Sequence, residues 1–198
     1  NPRLDNVRRG FLLSQKENYG TLCYMRFVGD FHIHSPYSRA VSKEMTLENL
    51  DRWAKIKGIK VLGTGDFTHP SWVKEMKQKL EPLGNGLFRL KKEFQKLEGP
   101  SDEPRISQAE ETLFILTVEV SSIYSKNGRV RKVHSILFAP DFETMDKIDA
   151  NLGWIGNIKS DGRPILGLDA KELLKIVLNA SERGLYVPAH AWTPHFSV

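Results

Sequence analysis

The histidines of this chain are the residues best placed to do chemistry. His32 and His34 stand two apart near the end of a predicted strand, so both side chains point to the same face. His134 and His190 lie in or directly after two other apolar runs. Imidazole suits zinc, manganese and iron, and the carboxyl ends of barrel strands bring such distant ligands together. The spacing therefore favours a metal site.

Carboxylates accompany these histidines. Asp66 and His69 follow the end of a second predicted strand, and Glu119 lies inside an apolar run, where a carboxylate needs a cation or a donor. Carboxylate ligands also admit magnesium. Metals held in this way can clamp a phosphate and lower the pKa of a water molecule, which supplies a nucleophile at neutral pH.

Each residue also has a purely structural interpretation. A His-x-His pair can be two polar residues at a strand end, and Asp66 can be a turn former or a helix cap. Glu119 can pair with an arginine, and His134 can be a hydrogen-bonded core histidine. The ordered series of all these residues along one chain favours the metal site over these alternatives.

The elements that must position these residues follow the pattern of β/α units, because short apolar runs alternate with helical periodicity. Thr46 is a predicted helix N-cap, Pro70 a helix first-turn residue, and the Asn-Gly pair in 126–128 a hairpin turn. The predicted strands cover about 27–34, 60–65, 113–121, 130–138 and 185–190; the predicted helices begin at 46 and 70 and cover 141–152 and 169–183. A short strand and a basic helix are expected within 84–98, and a surface loop over 99–111.

Composition narrows the class of protein. The 198 residues are 40% hydrophobic and 27% charged, which suits one globular domain and excludes a disordered chain. The apolar runs are strand-length, far short of the ~20 residues of a membrane span. A single cysteine, Cys23, excludes an intramolecular disulfide and a cysteine-rich zinc site, so we expect a cytoplasmic location. The net charge of +5 permits a polyanionic partner.

Both ends of the chain suggest a domain boundary or a cut. Residues 1–24 show no clear period, and we expect them to be an N-terminal extension outside the domain. The domain is expected over 25–198 and to be incomplete at its C-terminus, because the chain stops inside the apolar stretch 196–198. By itself such a chain should be a poor enzyme.

Six segments carry a more specific pattern: 31–38 (FHIHSPYS), 63–70 (GTGDFTHP), 118–121 (VEVS), 132–134 (KVH), the glycine-rich run 156–169, and 188–194 (PAHAWTP). The first resembles the opening motif of the PHP (polymerase and histidinol phosphatase) superfamily. The whole set resembles the endonuclease Q family of PHP DNA-repair nucleases. The run 156–169 is not a general PHP feature, so it carries most of the specificity.

The resemblance implies a fold and a ligand set. The fold is an α/β, distorted TIM-like barrel of the seven-stranded PHP type, here lacking its last strands, with two or three divalent metals (Zn, Mn or Mg) at its mouth. Asp66 and Glu119 take catalytic roles, and Glu119 is the bridging carboxylate. The implied metal ligands are His32, His34, Asp66, His69, Glu119, His134 and His190.

Three positions depart from the family's pattern. The usual adjacent Asp-His is stretched here to Asp66-x-x-His69, and of these two we favour Asp66 as the ligand. Ala40 stands where many PHP phosphatases have another histidine, which speaks against a third metal. His195 stands where the family has an aromatic residue, so it is not counted among the ligands.

The implied activity is metal-dependent nicking of DNA on the 5′ side of deaminated bases or abasic sites. The expected partner is therefore DNA, as a damaged duplex or a single strand, with no membrane and no particular protein partner indicated. Two alternatives stay open. One is a PHP-type phosphatase acting on a small phosphate ester, and the other is a non-catalytic module that binds metal or nucleic acid.

Candidate nucleic-acid contacts surround the predicted ligands. A basic hairpin strand leads into His134, and Arg39 directly follows the first motif, so both can meet phosphates. Trp192 can stack on a base or pack at the rim of the site. Tyr37 is a second stacking candidate. The hairpin residues are Arg129, Arg131 and Lys132.

Overall fold

A computed structural model of the chain describes residues 26–96 and 111–197. The predicted extension over 1–24, with Cys23, and nearly all of the predicted loop over 99–111 lie outside these ranges. The described strands are β1 (Val28–Asp30), β2 (Ile59–Gly63), β3 (Leu80–Pro82), β4 (Phe88–Leu90), β5 (Leu113–Lys126), β6 (Arg129–Ala139), β7 (Ile165–Leu166) and β8 (Leu185–Pro188). The described helices are α1 (Leu47–Lys57), α2 (Pro70–Lys79), α3 (Phe142–Ile155) and α4 (Ala170–Ala180).

Strand β5 organises the sheet. Its first residues pair in parallel with β2 and antiparallel with β4, and the rest pairs antiparallel with β6 and in parallel with β7. The sheet extends to β1 beyond β2, to β3 beyond β4 and to β8 beyond β6. The result is a mixed α/β fold whose curled sheet is consistent with part of a barrel.

The alternation of side chains along β5 separates the hydrophobic core from the polar site. Val118 and Val120 are fully buried in the main core, which also includes residues of all four helices. Glu119 lies between them and so faces the opposite side of the sheet. On that side Ile136 is its partner in β6 and belongs to a second, smaller cluster with Phe138.

Helices α1 and α2 begin where the sequence predicts, whereas α3 ends at Ile155 and α4 at Ala180, later and earlier than their predicted ends at 152 and 183. Thr46 caps α1 by accepting a hydrogen bond from the Asn49 backbone N–H, and Gly58 ends it with a φ of 71°, a conformation that glycine adopts at low cost. Helix α2 begins at Pro70 and buries Trp72, as its spacing predicts. In the described ranges, no helix is both long and apolar enough to cross a membrane.

Several strands and helices of the structure differ from the prediction. The first strand ends at Asp30, so His32 and His34 follow it instead of lying within it as the prediction of a strand over 27–34 required. The basic helix expected within 84–98 is a single 3-10 turn at Lys92–Phe94, which follows the predicted short strand, β4. Strands β3 and β7 were not predicted, because two or three residues carry too little periodicity to indicate a strand.

Candidate metal centre

Glu119 is the centre of the site. Its side chain is only 2% exposed, and nitrogen atoms of four histidines surround its carboxylate. Oε1 lies 3.1 Å from His32 Nε2, 2.9 Å from His134 Nδ1 and 3.6 Å from His190 Nε2. Oε2 lies 3.3 Å from His34 Nε2. The sheet thus brings together five predicted ligands from four separate parts of the chain.

These five residues form two ligand groups that share Glu119. In each group three ligand atoms lie within 4.8 Å of one another, which is close enough to hold one metal ion. We call His32, His34 and Glu119 the first ligand group, and Glu119, His134 and His190 the second ligand group. A carboxylate common to both groups can bridge two ions.

The chemistry of the donors fits divalent metals. Glu119 Oε1 is buried without a hydrogen bond of acceptable geometry, although three imidazole nitrogens lie within 3.6 Å of it. Such an oxygen is costly unless a cation meets it. Imidazole and carboxylate without thiolate favour zinc, manganese or iron. The donor atoms of the described residues therefore fit a divalent metal ion.

Close contacts between acidic and basic groups shift the pKa values of Glu119 and His34. Burial alone would raise the pKa of the Glu119 carboxyl, but the imidazoles of His134, His32 and His34 close to its oxygens outweigh burial and hold this pKa far below its usual range. Burial alone would lower the pKa of His34, but hydrogen bonds and charges from Asp66 and Glu119 outweigh it and raise this pKa to about 9. The site is thus a carboxylate that stays ionised and attracts cations.

Asp66 lies behind His34, outside both ligand groups. Its Oδ1 accepts a hydrogen bond from His34 Nδ1 at 3.0 Å, which directs Nε2 of the same ring towards Glu119. Its Oδ2 accepts hydrogen bonds from the Ser35 backbone N–H (2.6 Å), the Ser35 hydroxyl (2.7 Å) and the Ser38 hydroxyl (2.9 Å). Asp66 reaches this position through a φ of 52°, which aspartate tolerates better than most residues.

Tight backbone contacts hold this network. Gly65 has a φ of 65°, and a Cβ at this position would lie 2.5 Å from the Ile33 carbonyl oxygen. Gly162, in the glycine-rich run, approaches Asp66 so closely that its Cβ would overlap the Asp66 carboxylate. Both positions therefore require glycine.

His69 is also outside both ligand groups. Its ring stacks on Tyr37, with centroids 4.4 Å apart and an interplanar angle of 16°. Burial lowers the pKa of His69. The ligand roles assigned to Asp66 and His69 stay predictions, and so does the stacking of Tyr37 on a base.

The second ligand group depends on the turn that follows β8. His190 has a φ of 33°, and the Thr193 hydroxyl lies 3.3 Å from its Nδ1. The His134 backbone N–H donates to the Phe196 carbonyl at 3.0 Å, and the two rings lie 4.4 Å apart. This turn thus contacts both histidines of the group.

Arg163 is a site residue that sequence reasoning missed. Its Nη1 lies 3.4 Å from Glu119 Oε2, and its side chain is 41% exposed. The loop around it is fixed, because the Gly162 N–H donates to the Tyr37 carbonyl (3.2 Å) and the Ser121 N–H to the Pro164 carbonyl (2.9 Å). The glycine-rich run was the available signal, since such runs allow close backbone approach.

The predicted nucleic-acid contacts do not share one surface. Residues 129, 131 and 132 alternate along β6, so Lys132 faces the same side as His134 whereas Arg129 and Arg131 face the opposite side. Arg39 pairs with Asp161, with 3.2 Å between Nε and Oδ2. Trp192 is 99% exposed. The DNA contacts of all these residues stay predictions.

The fold of the chain is similar to that of two solved structures. The chain is similar to the lesion-specific endonuclease PfuEndoQ of Pyrococcus furiosus, with a TM-score of 0.66 and 34% identity over 85% of this chain and 36% of that one. The resemblance to endonuclease Q is confirmed. A structure of endonuclease Q with a 27-mer duplex substrate that has an abasic lesion at the active site gives a TM-score of 0.64 and 35% identity, over 84% of this chain and 35% of that one.

A curated relative extends the comparison. An uncharacterized protein of Methanocaldococcus jannaschii is 30% identical over 166 residues, which are 83% of this chain and 16% of the relative. No protein-family model matches the chain. The chain thus spans about a third of the endonuclease Q chains and a sixth of the curated relative.

Proposed function

We propose that this chain provides the metal centre of an endonuclease Q-like enzyme that nicks DNA on the 5′ side of deaminated bases or abasic sites. The observation that carries the proposal is the pair of ligand groups around Glu119. Its support from outside the chain is the similarity to endonuclease Q, whose structure with a lesion-bearing duplex is known. The barrel would be of the seven-stranded PHP type, and the working location the cytoplasm.

The residues divide the work as follows. Two divalent ions, zinc, manganese or magnesium, would be held by the first and second ligand groups, with Glu119 common to both. When bound, such ions lower the pKa of a water molecule and neutralise charge on phosphate oxygens. Asp66 accepts a hydrogen bond from His34 Nδ1–H, which leaves Nε2 of the same ring free to bind the ion on the side of Glu119.

The exclusion of water around the carboxylate is the contribution of the sheet. The Glu119 side chain is only 2% exposed, and the buried Ile136 lies directly opposite it on the same face of the sheet. In such surroundings electrostatic interactions are stronger than in bulk water. Arg163 adds a fixed positive charge beside Glu119 Oε2, on the side open to solvent.

The activity is tested with three substrates: a duplex with one deoxyinosine, the same duplex without it, and a simple aryl phosphate. A protein containing this chain should nick the deoxyinosine duplex, in the presence of manganese or magnesium, and leave the undamaged duplex intact. Hydrolysis of the aryl phosphate alone would instead indicate a phosphatase. Metal binding without hydrolysis of any substrate would indicate a non-catalytic module.

The ligand assignment is tested by metal analysis. The double variant His32→Ala/His34→Ala should lose the metal of the first ligand group. The matched control is His195→Ala, because His195 is exposed and belongs to neither group. A folded double variant with the metal content of the unmodified protein would refute the assignment.

A further inference from the structure

A cavity beside the metal centre is not accounted for by metal binding. Its volume is about 290 Å³, and Arg39, Asn157, Ser160, Asp161 and Arg163 are among the residues that line it. This volume lies at the lower end of the range of about 300–1,000 Å³ for small-molecule sites. It suits a compact polar group such as a phosphate with part of its sugar.

Arg163 connects the cavity to the centre. Its Nη1 lies 3.4 Å from Glu119 Oε2, and the same side chain lines the cavity. A guanidinium carries five N–H donors in a planar fork, so one contact with Glu119 leaves donors for a second anion. The side chain therefore reaches both the bridging carboxylate and a ligand in the cavity.

The backbone that carries Arg163 is already in place. Its N–H donates to Asp161 Oδ1 at 3.1 Å, and the residues on either side are held by the Tyr37 carbonyl and the Ser121 N–H. Little ordering remains to be done when a ligand binds, and pre-organised donors give more affinity than mobile ones.

The charge of the cavity favours an anion. Arg39 and Arg163 contribute two positive charges, and Asp161 contributes one negative charge, which Arg39 Nε meets at 3.2 Å. The side chain of Arg39 is 90% exposed, so it can turn from Asp161 to an incoming anion at little cost.

We propose that this cavity binds one phosphate of the DNA strand, adjacent to the phosphate that is cleaved, with Arg163 as the inner contact and Arg39 as the outer contact. The inference rests on the proposed function, because it assumes that a DNA strand lies across the metal centre. Contacts of this kind fix the register of the strand and are independent of base sequence. Arginine's planar fork suits the two oxygens of a phosphate.

The test measures binding, without cleavage. The metals are removed with a chelator, and the affinity for a fluorescent deoxyinosine duplex is measured by anisotropy over a series of salt concentrations. In the double variant Arg39→Gln/Arg163→Gln the slope of log K against log salt should be shallower by about 0.9, the value for one phosphate contact on duplex DNA. The matched control is Lys175→Gln, which removes one charge from an exposed pair with Glu172 on α4.

Two further variants separate phosphate binding from support of Glu119. Asp161→Asn should tighten binding by about 1.5- to 5-fold, since it releases Arg39 from an exposed ion pair. Arg163→Lys keeps the charge and so should keep the slope, while the loss of the planar fork weakens binding.

The outcomes are distinct. A double variant with unchanged slope and affinity would overturn the inference, and so would loss of metal from Arg163→Gln, which would assign Arg163 to holding Glu119. Failure of the unmodified protein to nick any DNA would count against the proposed function, and the binding comparison would still decide the role of the cavity.

Discussion

The two ligand groups share Glu119 but are supported in different ways. Behind His34 in the first group lies Asp66, which is fully buried and accepts three further hydrogen bonds from Ser35 and Ser38. Behind His190 in the second group lies the hydroxyl of Thr193, on an exposed turn.

The first ligand group is therefore the more rigid part of the centre. A buried and fully satisfied polar network holds its members in one arrangement, and an outer carboxylate that orients a ligating histidine strengthens metal binding. An exposed turn with few buried contacts opens at lower cost. We therefore expect the first ligand group to bind metal more tightly than the second.

The largest effect is expected from Glu119→Gln, because this variant removes the negative charge and one of the two oxygens of the ligand that both groups share. Metal content should fall for both groups, and nicking should fall by more than the roughly 10- to 100-fold that is typical for loss of an outer-shell partner. Elemental analysis and a nicking assay measure the two effects. Retention of one equivalent of metal would show that one group does not depend on Glu119.

The next largest effect is expected from Asp66→Asn. Metal affinity of the first group should fall about 10- to 100-fold, and the second group should keep its affinity. The amide of asparagine would also face the donors of Ser35 and Ser38, which should cost about 1–3 kcal/mol of unfolding free energy. Asparagine tolerates a positive φ, so backbone strain would not contribute to this loss of stability.

A competition titration with a chelator separates the two affinities of this variant, and chemical denaturation gives its stability. The control is Asp146→Asn, which breaks an exposed ion pair with Lys77 and should cost at most about 1 kcal/mol. Equal weakening of both metal sites by Asp66→Asn would remove the distinction between the groups.

The contacts of His34 with Asp66 and Glu119 also predict that the unfolding free energy of the metal-free protein depends on pH. The pKa of His34 is about 9 in the folded chain and about 6.5 in an unfolded one, so the folded state binds this proton more tightly. The stabilisation is complete below about pH 6.5 and is lost as pH rises through 9. The unfolding free energy should fall by up to about 3 kcal/mol over this window.

Denaturation at several pH values measures this loss. Asp66→Asn should flatten the profile, because Asp66 supplies much of the interaction that holds the proton. Bound metal should also flatten it, since the ion takes the place of the proton on His34. A metal-free profile without any loss between pH 6.5 and 9 would contradict the assigned environment of His34.

The smallest effect is expected from Thr193→Val. The variant keeps the shape of the side chain but removes the hydroxyl, which lies near His190 Nδ1 and donates to the backbone carbonyls of His190 and His195. Because the turn is exposed, water can replace the hydroxyl, and metal affinity of the second group should fall less than tenfold. Thr193→Ser should behave like the unmodified protein. A loss as large as that of Asp66→Asn would show that both groups are equally dependent on their supports.

Local signals predicted most of the elements. Thr46 and Gly58 mark the ends of α1, Pro70 starts α2, and the turn at Asn127 joins β5 to β6, in each case through chemistry confined to a few residues. The end of β1 could not be predicted, because it depends on His32 and His34 meeting a glutamate on another strand.

In the site, too, local features could be predicted but contacts between distant parts of the chain could not. Glu119 and the four histidines around it could be predicted from residue type, strand position and family resemblance. The glycine-rich run marks the loop of Arg163, but the contact of Arg163 with Glu119 depends on the path of that loop, which distant backbone groups fix. The distribution of the basic hairpin residues over two faces of the sheet could have been predicted. Arg131 and Lys132 are neighbours in a strand, so their side chains must face opposite sides.

The position of Glu119 on the strand that joins the sheet has a consequence for the order of folding. His34 and Glu119 lie far apart in the chain, and His134 and His190 are 56 residues apart, so the ligands of each group meet only after large loops have closed. Contacts of such long range form slowly, after local helices and hairpins. We therefore expect metal binding to follow the assembly of the sheet.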